Sequence, residues 1–264
     1  MDLRIFQVAA FTDQSFGGNP AAVIPLDEWI DDSLMQKIAA ENNLSETAFF
    51  VPVSDGEWHI RWFTPAVEVP LCGHATLASA AVIDAKLEHE DWPITLQSAS
   101  GPLSVDKDGD AYVLDLPANK PRAVDLPAGF ETALGAAVSE AHIGGDIYLV
   151  VLPDEASVAA LQPDFAALGT MIEHGVIATA KGDEVDFVSR FFAPGLGIDE
   201  DPVTGAAHCV LTPFWSERLG KKKMEARQIS SRVGLLECED LGERVKLRGY
   251  AVFFLAGVIE IYAG

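Results

Sequence analysis

Arg61-Trp62-Phe63-Thr64-Pro65 recurs as Arg190-Phe191-Phe192-Ala193-Pro194, 129 residues further along the chain. Each copy runs into an acidic residue, a glycine and a small-residue helix start. In the first these are Glu68 and Leu71-Cys72-Gly73-His74-Ala75-Thr76-Leu77-Ala78; in the second, Glu200-Asp201-Pro202-Val203-Thr204-Gly205-Ala206-Ala207-His208. A three-residue insertion moves the offset to 132 by that point. Recurrence at a fixed spacing is the mark of a duplicated unit. Between the copies, the stretch from Asp115 to Pro127 holds three prolines and few core residues, the composition of a connector. The reading is therefore an N-terminal lobe over residues 1–118, a linker over 119–127 and a C-terminal lobe over 128–264, whose last strand can return to the first lobe.

Working outward, Leu3–Ala10 and Ala21–Ile24 read as strands, separated by the turn chemistry of Phe16-Gly17-Gly18-Asn19-Pro20. Asp31–Asn43 reads as a helix capped by Asp31 or Asp32. Thr47–Pro52, His59–Phe63 and Ile94–Gln97 follow as strands, with a helix from Ala75 to about Ala85. Strands and helices mix without strict alternation, which predicts an α+β fold and not a doubly wound parallel sheet. Neither dinucleotide nor P-loop glycine fingerprints occur, so no nucleotide cofactor is expected.

Composition narrows the function. Of 264 residues, 49% are apolar and 22% charged, enough for a real core throughout. The formal net charge of −22 would repel nucleic acid over most of the surface. The run Lys221-Lys222-Lys223 reads as a solvated turn. Cys72, Cys209 and Cys238 form no C-x-x-C pair, so neither a disulfide framework nor a thiolate metal site is expected. There is no basic-then-apolar leader and no apolar run long enough to span a bilayer; the expectation is a cytoplasmic protein without membrane contact.

The two glycine-led helix starts suggest chemistry, because first-turn backbone N–H groups attract anions. Facing each other across an interlobe cleft, they could hold a small carboxylate or a developing enolate; two tight packing turns would leave the same pattern. His74 lies at one start, where the dipole favours a neutral imidazole, and Asp201 precedes Pro202 at the other, where it could equally be an N-cap. Glu46 sits at the edge of the apolar Thr47-Ala48-Phe49-Phe50 run, the desolvated setting that a general acid/base near neutral pH needs. Spacing alone does not bring Glu46, His74 and Asp201 together.

The strings Phe16-Gly17-Gly18-Asn19-Pro20-Ala21-Ala22-Val23, Asn43-Leu44-Ser45-Glu46-Thr47-Ala48-Phe49 and Gln228-Ile229-Ser230-Ser231-Arg232, taken with the two repeated segments, resemble the phenazine-biosynthesis PhzF-like family in order and spacing. The resemblance covers essentially the whole chain. It implies a diaminopimelate epimerase-like fold: two similar lobes, each a β-barrel-like sheet around a central helix. It also implies a homodimer without cofactor or metal and an isomerase that moves a proton within a small carboxylate-bearing substrate. By resemblance Glu46 is the acid/base, His74 and Asp201 line the pocket, and Asn19, Gly73, Gly205 and Ala206 contact substrate. Two positions depart from the pattern: Ala206 stands where the family often has a serine that meets substrate, and Val233 replaces the first of a frequent glycine pair.

Two rival readings remain. Epimerases of this fold use one thiol per lobe; Cys72 fits the first position, but the second copy has Asp201-Pro202 there and Cys209 lies a turn into the helix. A binding protein without turnover would keep the same residues.

Overall fold

The structure, a computed structural model, describes residues 1–262. The chain divides into two compact units, Met1–Asp115 together with the segment from Arg248 onward, and Leu116–Leu247.

In the first unit the strands are β1 (Asp2–Ala10), β2 (Asn19–Pro25), β3 (Glu46–Ser54), β4 (Glu57–Phe63), β5 (Glu68–Val69), β6 (Ile94–Ser98), β7 (Gly101–Asp108) and β8 (Ala111–Pro117). Helix α1 spans Asp32–Asn42 and α2 spans Gly73–Leu87. Strands β2 and β3 pair in parallel, as do β4 and β6, while β3–β4, β4–β5, β6–β7 and β7–β8 are antiparallel. Helix α2 packs on β1, β2 and β3, and every residue from His74 to Ile83 is buried. A helix apolar on all sides belongs inside a sheet. Its hydroxyls are satisfied within the helix, Thr76 Oγ1 donating to the Cys72 carbonyl and Ser79 Oγ to that of Ala75.

The second unit holds β9 (Arg122–Ala123), β10 (Glu140–Gly144), β11 (Ile147–Val151), β12 (Val176–Lys181), β13 (Phe187–Ala193), β14 (Ile198–Asp201), β15 (Lys223–Gln228), β16 (Gly234–Asp240) and β17 (Arg244–Gly249). Its helices are α3 (Phe130–Leu134), α4 (Glu155–Ala159), α5 (Phe165–Met171) and α6 (Gly205–Leu219). The pairing order repeats: β11–β12 parallel, β12–β13 and β13–β14 antiparallel, β13–β15 parallel, β15–β16 antiparallel. Helix α6 is as buried as α2 and packs on β11, β15 and β16. The last strand, β18 (Ala251–Glu260), pairs along β1 in the first unit.

The recurrent pentapeptide thus falls on β4 and β13, equivalent strands of a repeated topology. Its arginine has a job in each. Arg61 grips Glu68 with Nε and one terminal nitrogen, at 2.8 and 2.7 Å, and Arg190 grips Glu200 in the same two-pronged way, both at 2.8 Å. Each latch ties a long strand to the short one that delivers the chain to the central helix. The three inserted residues fall between Pro194 and Glu200, where the short turn Pro194–Leu196 leads into β14.

The segment 119–127, expected as a linker, is bound into the second unit. Asn119 N donates to the Cys209 carbonyl, and Arg122 and Ala123 pair with Ile143 and His142 of β10. Prolines exclude ladder donors at 117, 121 and 127 but leave the residues between them free to pair. Among the described residues no helix is long and apolar enough to cross a membrane.

Candidate active site

In the first unit, parallel pairing of β2 with β3 sets Glu46 opposite Ala21, beside the start of α2. His74, the second residue of α2 and fully buried as a ring, points its Nε2 at the Glu46 carboxylate, 3.1 Å away, in a close ionic contact not aligned as a hydrogen bond. Glu46 itself is 13% exposed. On the other side of the ring, Nδ1 lies 3.1 Å from Asn19 Nδ2 and 3.5 Å from Cys72 Sγ. Asn19, expected as a substrate contact, is wholly buried beside the imidazole. Which amide atom it presents follows the proton on Nδ1.

Burial works against a charged His74, yet the Glu46 carboxylate at Nε2 acts the other way and the ring is held well above its ordinary value. Burial, with Glu46 adding to it, also pushes the Cys72 thiol up to about 11. Cys72 therefore keeps its proton near neutrality, and the Glu46 carboxylate is the charge that keeps the proton on His74. This reverses the expectation of a neutral imidazole: the helix dipole acts as a partial charge, whereas Glu46 is a full one at contact distance.

Glu46, Cys72 and His74 offer three potential metal ligands, all within 4.8 Å of one another. Cys72 Sγ meets Nδ1 and Glu46 meets Nε2, so the two neighbours engage different nitrogens of one ring.

In the second unit Asp201 closes β14 and is 8% exposed. It is not the N-cap of α6; Thr204 is. The Thr204 hydroxyl turns back and donates to Asp201 Oδ2 at 2.5 Å. Gln228, fully buried at the end of β15, accepts from Thr204 N at 2.8 Å and donates to the Asp201 carbonyl at 2.7 Å and to Thr204 Oγ1 at 3.2 Å. Gly205 is buried and Ala206 exposed at the helix start. Thr204 and Gln228 escaped the sequence reading as site residues, although a threonine ahead of Gly205 was a visible cap signal.

Helices α1, α4 and α5 begin behind Asp31, Asp154 and Asp164, whose side chains accept first-turn N–H groups. Among the described residues neither α2 nor α6 has such a cap: Cys72 and Thr204 make no side-chain cap hydrogen bond. The two buried central helices thus keep first-turn donors that other helices of the chain hand to a carboxylate. Cys209 and Cys238 are buried thiols, each pushed up to about 12 by desolvation, and neither lies at a helix start.

A family model described as "Phenazine biosynthesis-like protein" matches residues 8–257. A Pseudomonas aeruginosa protein named as an uncharacterized isomerase is 50% identical, over 99% of this chain and 100% of the relative. A crystal structure of a phenazine biosynthesis PhzF-family protein from Enterococcus faecalis superposes with a TM-score of 0.95 at 44% identity, covering 99% of this chain and 100% of that one. In fold alone the likeness extends to a hydroxyproline epimerase from Agrobacterium vitis, at a TM-score of 0.63 and 9% identity, over 98% of this chain and 92% of the other.

Proposed function

Because the chain belongs to the phenazine biosynthesis-like (PhzF) family, whose relatives include named isomerases, we propose that it is a cofactor-independent isomerase moving a proton within a small, carboxylate-bearing substrate. The observation that supports this best is the Glu46 carboxylate set 3.1 Å from His74 Nε2 in a nearly dry setting. In the ionised state Glu46 accepts a proton from a carbon next to the substrate's carbonyl or carboxylate, and the electron pair left behind spreads over the conjugated system. The carboxylic acid so formed returns the proton to a different carbon, and no atom or electron is gained or lost overall. The charged His74 ring offsets negative charge in the intermediate. Asp201 orients the substrate, and backbone donors at Gly73, His74, Gly205 and Ala206 hold its charge. With a net charge of −22 on the chain, attraction for an anion must come from those helix starts and His74.

The partner we propose is a second copy of the chain. From Ala251 to Ile259, β18 carries no charge, and Phe254, Val258 and the adjoining Phe16 are 58%, 59% and 74% exposed. Uncharged apolar surface of this kind calls for a cover, and sedimentation at micromolar concentration reads dimer or monomer.

The test is proton–deuterium exchange by NMR in heavy water, on a panel of cyclic and amino-acid carboxylates, for wild type and Glu46→Gln. The expected result is exchange or isomerisation that falls by about 10²–10⁴-fold in the variant, the size of a general acid/base contribution. Ligand binding without turnover in the wild type would overturn the reading in favour of a binding protein.

A further inference from the structure

The repeated topology allows each residue around Asp201 to be set against its counterpart in the first unit. His59 pairs with Gln97 and Val188 with Arg227, so Ser98 is the counterpart of Gln228. The latched glutamates Glu68 and Glu200 align Val69 with Asp201, and the helix N-caps align Cys72 with Thr204. Some of the scaffold is common to both. Ser100 Oγ donates to the Pro70 carbonyl and Ser230 Oγ to the Pro202 carbonyl, each at 2.9 Å. The turn into the central helix is therefore built twice with the same latch and the same serine tie.

What is not repeated is the set of hydrogen bonds that Gln228 makes. Ser98 donates to the Gly101 carbonyl at 2.7 Å, within its own hairpin, and the first unit still makes the turn into α2. The Gln228 network is surplus to what the turn requires, and it converges on the one carboxylate of that turn. We propose that Gln228 is a positioning residue for Asp201. Its amide fixes the backbone on both sides of the Asp201–Thr204 turn, and its Nε2 donates to Thr204 Oγ1, which leaves the hydroxyl proton directed at Asp201 Oδ2. The donor order runs one way, from amide to hydroxyl to carboxylate, and holds Asp201 in a single rotamer as an acceptor. Burying a glutamine with three such bonds is costly unless all are made, so the side chain has little freedom to drift.

The inference rests on Asp201 acting on substrate, and its test separates the two. Gln228→Met keeps the volume and removes the amide; Thr204→Val removes the hydroxyl; Thr204→Ser restores it; Ser98→Ala is the control at the counterpart position. The first readout is steady-state kinetics. Gln228→Met and Thr204→Val are expected to lower kcat by about 10–10²-fold, the scale of a displaced catalytic group, with KM changed less than about threefold, while Thr204→Ser and Ser98→Ala stay near wild type. The second readout needs no activity: the ¹³Cγ resonance of Asp201, assigned by its loss in Asp201→Asn, shifts in Gln228→Met and Thr204→Val and not in Thr204→Ser or Ser98→Ala. Wild-type inactivity on every substrate would sink the proposed function and leave the resonance test to decide the positioning role. A resonance that stays put in folded Gln228→Met and Thr204→Val, or kcat retained in both, overturns the inference, and should Gln228→Met not fold, the Thr204 pair decides it alone.

Discussion

The two halves share a backbone plan and differ in the polar side chains they place on it. Register carries the comparison residue by residue: Thr47 pairs with Phe63 where Val176 pairs with Phe192, which sets Glu46 on Gly175. Ala22 pairs with Thr47 where Tyr148 pairs with Val176, which sets Asn19 on Gly145. The helix starts set His74 on Ala206. The counterparts of Glu46, Asn19 and His74 in the other half are thus glycine, glycine and alanine. At Gly175 a side chain would also meet the Phe191 ring at 2.5 Å, so the second half has no room for a base there. Conversely Asp201, Thr204 and Gln228 stand where the first half has Val69, Cys72 and Ser98. Duplication supplied two uncapped helix starts; the proton-holding groups collected at one and a held carboxylate at the other.

The scaffold that both halves keep can be broken on either side. Arg190 and Glu200 are 13% and 21% exposed, and Arg190 donates a further bond to the Leu161 carbonyl at 2.8 Å. Arg61 is 20% exposed, its partner Glu68 39% and its second partner Asp32 75%. Removing the arginine strands a shielded carboxylate in one case and a solvated one in the other. Arg190→Met is expected to cost about 3–5 kcal/mol and Arg61→Met about 1 kcal/mol, read by urea unfolding of the purified variants. Equal losses, or the reverse order, would mean that the latches are not set by burial.

Protonation sharpens the contrast next, since His74 belongs to the first half alone. Its folded pKa is raised above the unfolded value of about 6.5, so its contribution to stability is complete below that pH and is lost as pH rises through the folded pKa. Each pH unit of that window is worth about 1.4 kcal/mol, on the order of 2–4 °C in Tm for a chain of this size. Wild type minus His74→Gln should therefore show a Tm difference that is largest near pH 6 and shrinks towards alkaline pH. A difference that is flat across this range, or grows with pH, would show that the ring is neutral in the folded protein.

How far the sequence could lead follows from which of these features are local. The duplication was legible because the latch arginine and glutamate lie within ten residues of each other, and the starts of the central helices because each copy runs into a glycine followed by small residues. Asp31 was readable as a cap for the same reason. The His74 charge was not: the helix dipole is a local property, but Glu46 reaches the ring only through the parallel pairing of β2 with β3, and nothing near His74 announces it. Gln228 was invisible as a site residue because its partners lie 24 and 27 positions back along the chain. Asn19 stood in a recognisable motif, but its approach to His74 was not readable there, since motifs report proximity to a site and not which way an amide faces.

The smallest expected effect concerns how each half leaves its tie to the helix turn. The first half turns between β6 and β7 on Gly101, at φ +97°, where no side chain exists to object. The second turns from β15 into β16 through Val233, at φ +52°, a left-handed conformation that a β-branched residue resists. The next residue has no latitude to share the strain, because a side chain at Gly234 would meet Val203 at 2.2 Å. Val233 is 40% exposed, so little packing is lost with its side chain. Relief of the left-handed strain gains about 1–2 kcal/mol, and the extra freedom that glycine gives the unfolded chain takes back about 0.5–1 kcal/mol. Val233→Gly is thus expected to stabilise by roughly 0.5–1 kcal/mol, a rise in Tm of about 1–4 °C, measurable by calorimetry with kcat unchanged. A lower Tm would mean that Val233 packs against something worth more than its strain, and that the two halves close this turn by different physics.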